Sequence, residues 1–211
     1  MRYFREPFSG FSHLAGAILG VAGLVVLVAQ TYDESTKLAT MLVYGISLIL
    51  LFLASAAWHL VVAPDRVLHW LRRCDQAAIY AFIAGTYTPF CYAYITDRFR
   101  WGFLGVVWGV AIVAIFVKLT LNEKSRVRSS LFYVGLSWLG LFTYPFVSGN
   151  MDTGALVLLL AGGVVYTSGA VVFNLDNPNN RPKYFNLHDL WHLFVLVGCG
   201  LHYAAILVYI A

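Results

Sequence analysis

Apolar residues run along this chain in long blocks, and polar residues are confined to short breaks between them. Seven blocks stand out, at 14–30, 38–63, 74–95, 101–121, 130–148, 153–174 and 188–210. Each falls near the ~20 residues that an α-helix needs to cross a bilayer's hydrocarbon core. The breaks are Asp33-Glu34-Ser35, Pro64-Asp65-Arg66, Thr96-Asp97-Arg98, Asn122-Glu123-Lys124, Gly149-Asn150-Met151-Asp152 and Asn177-Pro178-Asn179-Asn180. These are turn-forming and helix-breaking residues. The pattern predicts an all-α fold, a seven-transmembrane helix bundle forming one domain over residues 1–211. Seven is odd and the two halves show no repeat, which argues against an inverted-repeat transporter.

Composition sharpens this. The chain is 60% hydrophobic and 11% charged, whereas soluble domains carry about 25% charged residues. It cannot cover a normal water-facing surface. The formal charge of +4 is no sign of a nucleic-acid partner, because the cations lie in short loops between apolar blocks, where they set topology. Eleven lie on one side: Arg2, Arg5, Arg66, Arg72, Arg73, Lys118, Lys124, Arg126, Arg128, Arg181 and Lys183. Three lie on the other: Lys37, Arg98 and Arg100. The positive-inside rule then predicts a cytoplasmic N-terminus and an outside C-terminus, in a multi-pass protein of the inner (cytoplasmic) membrane. The first block runs unbroken from Leu14 to Ala29 and ends on a poor cleavage site, so it is expected to be kept as a span rather than removed as a signal.

Smaller features add detail. Tyr32, Tyr94, Trp101 and Tyr209 sit near span ends, as interfacial anchors do. Gly16-x-x-x-Gly20 and Gly105-x-x-x-Gly109 each place small residues on one helix face, which allows close helix approach. Residues 66–73 read as a short interfacial helix with His69 solvated. Cys74, Cys91 and Cys199 are widely spaced with no C-x-x-C pair, so each reads as a packing residue rather than part of a disulfide framework or zinc ribbon.

Ionisable groups inside spans cost roughly 2.5–3.5 kcal/mol each on insertion scales, so their positions carry information. The candidates are His13, His59, Asp75, His188, His192 and His202. With the expected topology, His59 ends the second span, Asp75 opens the third, and His188 and His192 open the seventh. Four groups from three helices thus fall at one depth. A spacing of four puts His188 and His192 on one helix face, and likewise Ser55 and His59. Three imidazoles converging on one point suit Zn²⁺ in an open site with water in the fourth position. Asp75 would then orient a ligand or hold that water, with Ser55 in the same network. Taken singly, His59 also reads as a core histidine bonded to Ser55, and Asp75 as an ordinary interfacial acid. His202 lies ~15 Å further along its helix and cannot join the cluster. His13 is either interfacial or a support at the right depth. Asp189 points about 100° away from His188 and reads as a solvated or capping acid.

The same residues resemble a known family. Glu6-Pro7 with Ser12-His13 opens the chain, and Ser55-Ala56-Ala57-Trp58-His59 ends the second span. Asp75-Gln76-Ala77-Ala78-Ile79-Tyr80 and Ala84-Gly85-Thr86-Tyr87-Thr88-Pro89-Phe90 form the third, and His188-Asp189-Leu190-Trp191-His192 opens the seventh. In order and over essentially the whole chain, these are similar to the hemolysin III branch of the progestin and adipoQ receptor (PAQR) family. The resemblance implies Zn²⁺ held by His59, His188 and His192, with Asp75 associated with the zinc-bound water. Adiponectin-receptor members are linked to ceramidase activity, and related membrane proteins include alkaline ceramidases. Bacterial members are named for hemolysis and linked to membrane homeostasis. The chain lacks the long N-terminal region of the animal receptors, so hormone reception is not carried over.

Two function classes therefore stand. One is a zinc-dependent hydrolase of a lipid amide or ester, with Asp75 and Ser55 as the candidate catalytic residues and a membrane lipid as the candidate substrate. The other is a non-enzymatic protein of membrane homeostasis, sensing or permeabilisation, holding structural zinc. Haem ligation by two histidines is a third reading. The seventh span has no lysine for a Schiff base, which argues against an opsin. No chain of acids crosses the spans, which argues against a proton pump. The pattern leaves the oligomeric state open.

Overall fold

The computed structural model describes residues 3–95, 97–121, 125–147, 151–177 and 185–211, leaving aside the side chains of residues 97 and 144–146. Of the cations used in the topology argument, Arg2, Lys124, Arg181 and Lys183 lie outside the described residues. The described residues form seven α-helices: α1 (Pro7–Thr31), α2 (Ser35–Leu60), α3 (Asp65–Tyr94), α4 (Asp97–Thr120), α5 (Arg126–Trp138), α6 (Thr153–Leu175) and α7 (Leu187–Tyr209). A 3-10 helix, Leu139–Phe146, continues α5. The fold is all-α, with a single isolated bridge between Ile95 and Val147 among the described residues.

Local chemistry explains the helix starts. Pro7 at the first position of α1 sets φ for the helix and has no N–H to leave unpaired. A capping box opens α7: Asn186 accepts from the backbone of His188 and Asp189, and Asp189 reaches back to the Asn186 N–H.

Two expectations are corrected. Residues 66–73 are not a separate interfacial helix but the first turns of α3, which runs 30 residues from Asp65. Pro64 is the last breaker before it, and nothing between Arg66 and Asp75 stops the helix. Trp70 and His69 are exposed on those turns, and Arg73 lies over the Trp70 ring while donating to the Leu119 carbonyl. The fifth span is also not one α-helix. It tightens to 3-10 geometry after Trp138. Tyr87 of α3 explains where: its hydroxyl donates toward the Leu136 and Ser137 carbonyls and accepts from the Gly140 N–H. These backbone groups find a partner outside their own helix. Thirteen α-helical and eight 3-10 residues together rise about 36 Å, enough to cross.

Among the described residues, five helical segments are long and apolar enough to cross a membrane by themselves: α1, α2, Arg98–Thr120 of α4, α6 and α7. α3 carries Tyr80, Thr86 and Tyr94, which are buried within the bundle. Along the spanning part of the helix these polar groups face its neighbours, while the exposed Arg66, His69 and Arg72 lie in its first turns. Ile18, Val25, Ile112, Phe116, Phe132, Val164, Val171 and Val208 are exposed around the perimeter, as lipid-facing side chains are in a membrane protein.

α1 packs between α2 and α7, α2 packs on α3, α7 on α6, and α6 on α5, while α4 packs on the outer side of α3. This order encloses a cavity of about 520 Å³ lined by all the helices except α4. It runs from His13, His59 and Asp75 at one end to Tyr94, Ile95 and Met151 at the other. The starts of α1, α3 and α7 and the end of α2 meet at the first of these ends.

Candidate metal centre

The last turn of α2 and the first two turns of α7 bring three imidazoles together. Ring centroids are 5.2 Å apart for His59 and His188, 4.6 Å for His59 and His192, and 5.0 Å for His188 and His192. One ring nitrogen from each lies within 4.8 Å of those from the other two. His59 and His192 are buried and His188 is half-buried. The Asn186 cap fixes where α7 begins, and the four-residue spacing then stacks His188 under His192 on one face.

Asp75 stands outside this tight set. It lines the same cavity, with Ser55 and His59 as its neighbours. Ser55 is one turn before His59 on α2 and is itself buried. The five residues singled out from the sequence, His59, His188, His192, Asp75 and Ser55, thus share one end of one cavity.

Two acids do what the sequence reading did not assign to them. The Glu6 carboxylate meets His59 Nδ1 at 2.5 Å. Asp189, read as a solvated or capping acid, does cap α7 but is buried rather than solvated: it accepts a hydrogen bond from Ser9 at 2.7 Å. The signal for Glu6 was in the sequence. Glu6, Ser9 and His13 recur at the i, i+3, i+7 spacing of one helix face.

His13 is buried against the cluster but is not one of the three mutually close histidines. Its ring centroid is 4.1 Å from that of His192, and it meets Phe52 edge-on. His202 is remote from the cluster and bonds the Leu159 carbonyl through Nε2 at 3.1 Å. Gly162 makes room for it, since a Cβ there would come within 2.3 Å of the His202 ring. Cys74 is exposed and Cys91 and Cys199 are buried, all as free thiols, and none joins the metal-binding set.

The donor set fits a divalent transition metal. Imidazole is a good ligand for zinc, and three of them leave room for a further ligand. His192 Nδ1 is buried with no hydrogen-bond partner among the described residues. Buried polar atoms are normally satisfied, so this one marks where an absent partner belongs. Around the same mouth the cavity is lined by Arg72, Arg126, Ser129 and Ser130. Arg126 is held by Asp176 and stacked on the Phe173 ring.

The profile of the family described as Haemolysin-III related matches residues 1–203. The chain belongs to that family. Among its relatives, Hemolysin-3 of Bacillus cereus is 32% identical over 208 residues, covering 97% of this chain and 91% of the relative. The human protein named monocyte to macrophage differentiation factor is 29% identical over 202 residues, 92% of this chain and 78% of the relative. Heptahelical transmembrane protein 4 of Arabidopsis thaliana is 31% identical over 177 residues, 75% of this chain and 45% of that protein. These relatives support the haemolysin III and PAQR branch expected from the motifs, and with it a membrane protein of several apolar helices.

Proposed function

We propose that this haemolysin III family protein is a multi-pass zinc enzyme that hydrolyses an amide or ester bond of a membrane lipid. One observation carries the reading. Ser55 and Asp75 share the mouth of the cavity with the three histidines, and that cavity continues past Phe82, Phe90 and Leu159 into the apolar interior. Headgroup chemistry and a tail-sized space are thereby joined.

His59, His188 and His192 would hold the zinc. A bound Zn²⁺ brings the pKa of water to about 7 and polarises a carbonyl. Asp75 is placed to take a proton at its carboxylate, and the Ser55 hydroxyl holds that carboxylate in orientation. The apolar walls hold the acyl part and keep bulk water from the reacting bond. With the N-terminus in the cytoplasm of an inner-membrane protein, as the Lys and Arg distribution supports, the chemistry lies at the cytoplasmic headgroup level. A cytoplasm-only reporter fused after Ala211 is expected to be silent; a strong signal from a folded fusion would reverse the orientation.

The test of the reaction is metal analysis and lipid-product mass spectrometry on matched preparations of the parent and Asp75→Asn, with ceramide and phospholipid vesicles. Expected are about one Zn²⁺ per chain in both, and product formation in the variant lower by 10²–10⁴-fold, roughly the range for loss of a general base.

A second reading has an observation in its favour. His13 is a fourth buried imidazole beside His192, and four protein ligands would close the site, as in structural zinc. The printed name of the Bacillus cereus relative, Hemolysin-3, agrees with a non-enzymatic, membrane-permeabilising role. Loss of zinc in Asp75→Asn, with no lipid product from the parent, would favour this reading.

A further inference from the structure

The N-terminal turn of α1 grips both metal-bearing helices through one face. Glu6, Ser9 and His13 lie at i, i+3 and i+7. They meet His59 at the end of α2, Asp189 at the start of α7, and His192 one turn further along α7. The grip on α2 is the more elaborate. The Glu6 backbone N–H donates to the His59 carbonyl at 3.0 Å, satisfying one of the carbonyls that a helix end leaves open. Arg5 donates to the Trp58 carbonyl at 2.8 Å, and its guanidinium lies 4.3 Å from the centroid of the Trp58 ring. Gly10 permits this approach: a Cβ there would lie 2.4 Å from Leu60 and 3.4 Å from the His59 Cβ.

We propose that Glu6 is the positioning residue of the metal centre, committing His59 Nδ1 as a donor and leaving Nε2 as the ligand nitrogen. The inference rests on the reading of the three histidines as a metal site. Its physical basis is general. The ring nitrogen that bonds a metal is set by the hydrogen bond the other nitrogen makes. A carboxylate behind a ligating histidine fixes the tautomer and ring orientation and raises ligand basicity. Asp75, expected from the sequence to orient a ligand or hold the water, lines the cavity beside Ser55, and no hydrogen bond joins it to a histidine ring among the described residues. Glu6 fills the orienting role, and Asp75 is left for the reacting groups. Arg5 and Gly10 then serve Glu6, one by pinning its backbone neighbour to α2 and the other by letting α1 come close enough.

The test is Zn²⁺ affinity by chelator competition for the detergent-purified parent, Glu6→Gln and Glu6→Asp, with thermal unfolding of each metal-free protein. An amide accepts a hydrogen bond more weakly than a carboxylate and can also donate. Glu6→Gln should therefore bind Zn²⁺ about 10–100-fold more weakly, the usual range for losing such a partner. Glu6→Asp should recover most of that, and the metal-free unfolding temperatures should agree. Equal affinity of parent and Glu6→Gln would overturn the assignment. So would equal losses in both variants accompanied by a lower metal-free unfolding temperature, which would make the contact a structural one. A second measurement needs no variant. ¹⁵N-histidine NMR of the parent should show His59 protonated at Nδ1, and protonation at Nε2 would overturn the proposal. A parent that binds no Zn²⁺ at all would overturn the metal reading itself, an outcome distinct from either failure.

Discussion

α1 and α4 carry the same small-residue signature and use it in opposite ways. In α1, a Cβ at Gly16 would come within 2.8 Å of Leu196 and 3.0 Å of Phe52, and one at Gly20 within 3.3 Å of Ile49. The helix is wedged between α2 and α7, and its glycines are what let it in. In α4, a Cβ at Gly105 or Gly109 would meet nothing within 4 Å. Val106, Val110, Val113 and Phe116 on that helix are exposed, and no α4 residue lines the cavity. A G-x-x-x-G pattern permits close approach but does not supply a neighbour. The difference follows position in the bundle. α1 has a histidine-bearing helix of the candidate site on each side, while α4 packs on the outer side of α3 and reaches α5 at one edge through Lys118 and Ser129.

If the α1 side is the functional half, its perturbations should be large and those of α4 small. The largest effect is expected from His192→Ala. Bound metal should fall from about one Zn²⁺ per chain to background in mass-spectrometric metal analysis, with helix content by circular dichroism unchanged. Full occupancy in a variant with His59, His188 and His192 all changed to Ala would end the assignment. Next comes Ser55→Ala, which leaves the imidazoles in place but removes the hydroxyl beside Asp75. Lipid hydrolysis should drop by about 10–100-fold with zinc retained, as for other outer-shell contacts; a variant as active as the parent would remove Ser55 from the machinery. Gly16→Leu should overpack the α1–α2–α7 junction and destabilise by roughly 1–3 kcal/mol, read as a lower unfolding temperature in detergent together with weaker Zn²⁺ binding. Smallest of all, Gly105→Leu should change stability by no more than about 0.5 kcal/mol, as at sites without packing constraints. A large loss there would mean that α4 has a neighbour outside this chain, and the contrast would have to be redrawn.

Much of this was legible along the chain, for identifiable reasons. The seven apolar blocks correspond to seven helices because the backbone in hydrocarbon must satisfy its own hydrogen bonds. The breaks at Pro64 and Asp33-Glu34 mark where that continuity ends. His188 and His192 were readable as a pair because a four-residue spacing fixes a common face whatever the surroundings. The convergence of His59 with them could be inferred from depth alone, since ionisable groups buried in spans need partners. Local pattern misled where a neighbouring helix decided the outcome. The 3-10 stretch after Trp138 depends on a tyrosine about fifty residues earlier, Tyr87, reaching its backbone. The fate of Gly105 depends on the absence of a neighbour, which no spacing on α4 encodes.

The sequence by itself determined the helical class, the approximate spans and the residue types able to hold a metal, because hydrophobic block length and the i, i+4 repeat are properties of one strand of chain. Only the tertiary structure decided which acid serves which partner. Glu6 and Asp75 are both carboxylates at the same end of the bundle, and nothing in their local sequence separates the one that meets the His59 ring from the one that lines the cavity beside Ser55. That choice is made by distance across helices: α1 docks on the end of α2 through Gly10 and the His59 carbonyl, and so places Glu6, rather than Asp75, against the histidine ring.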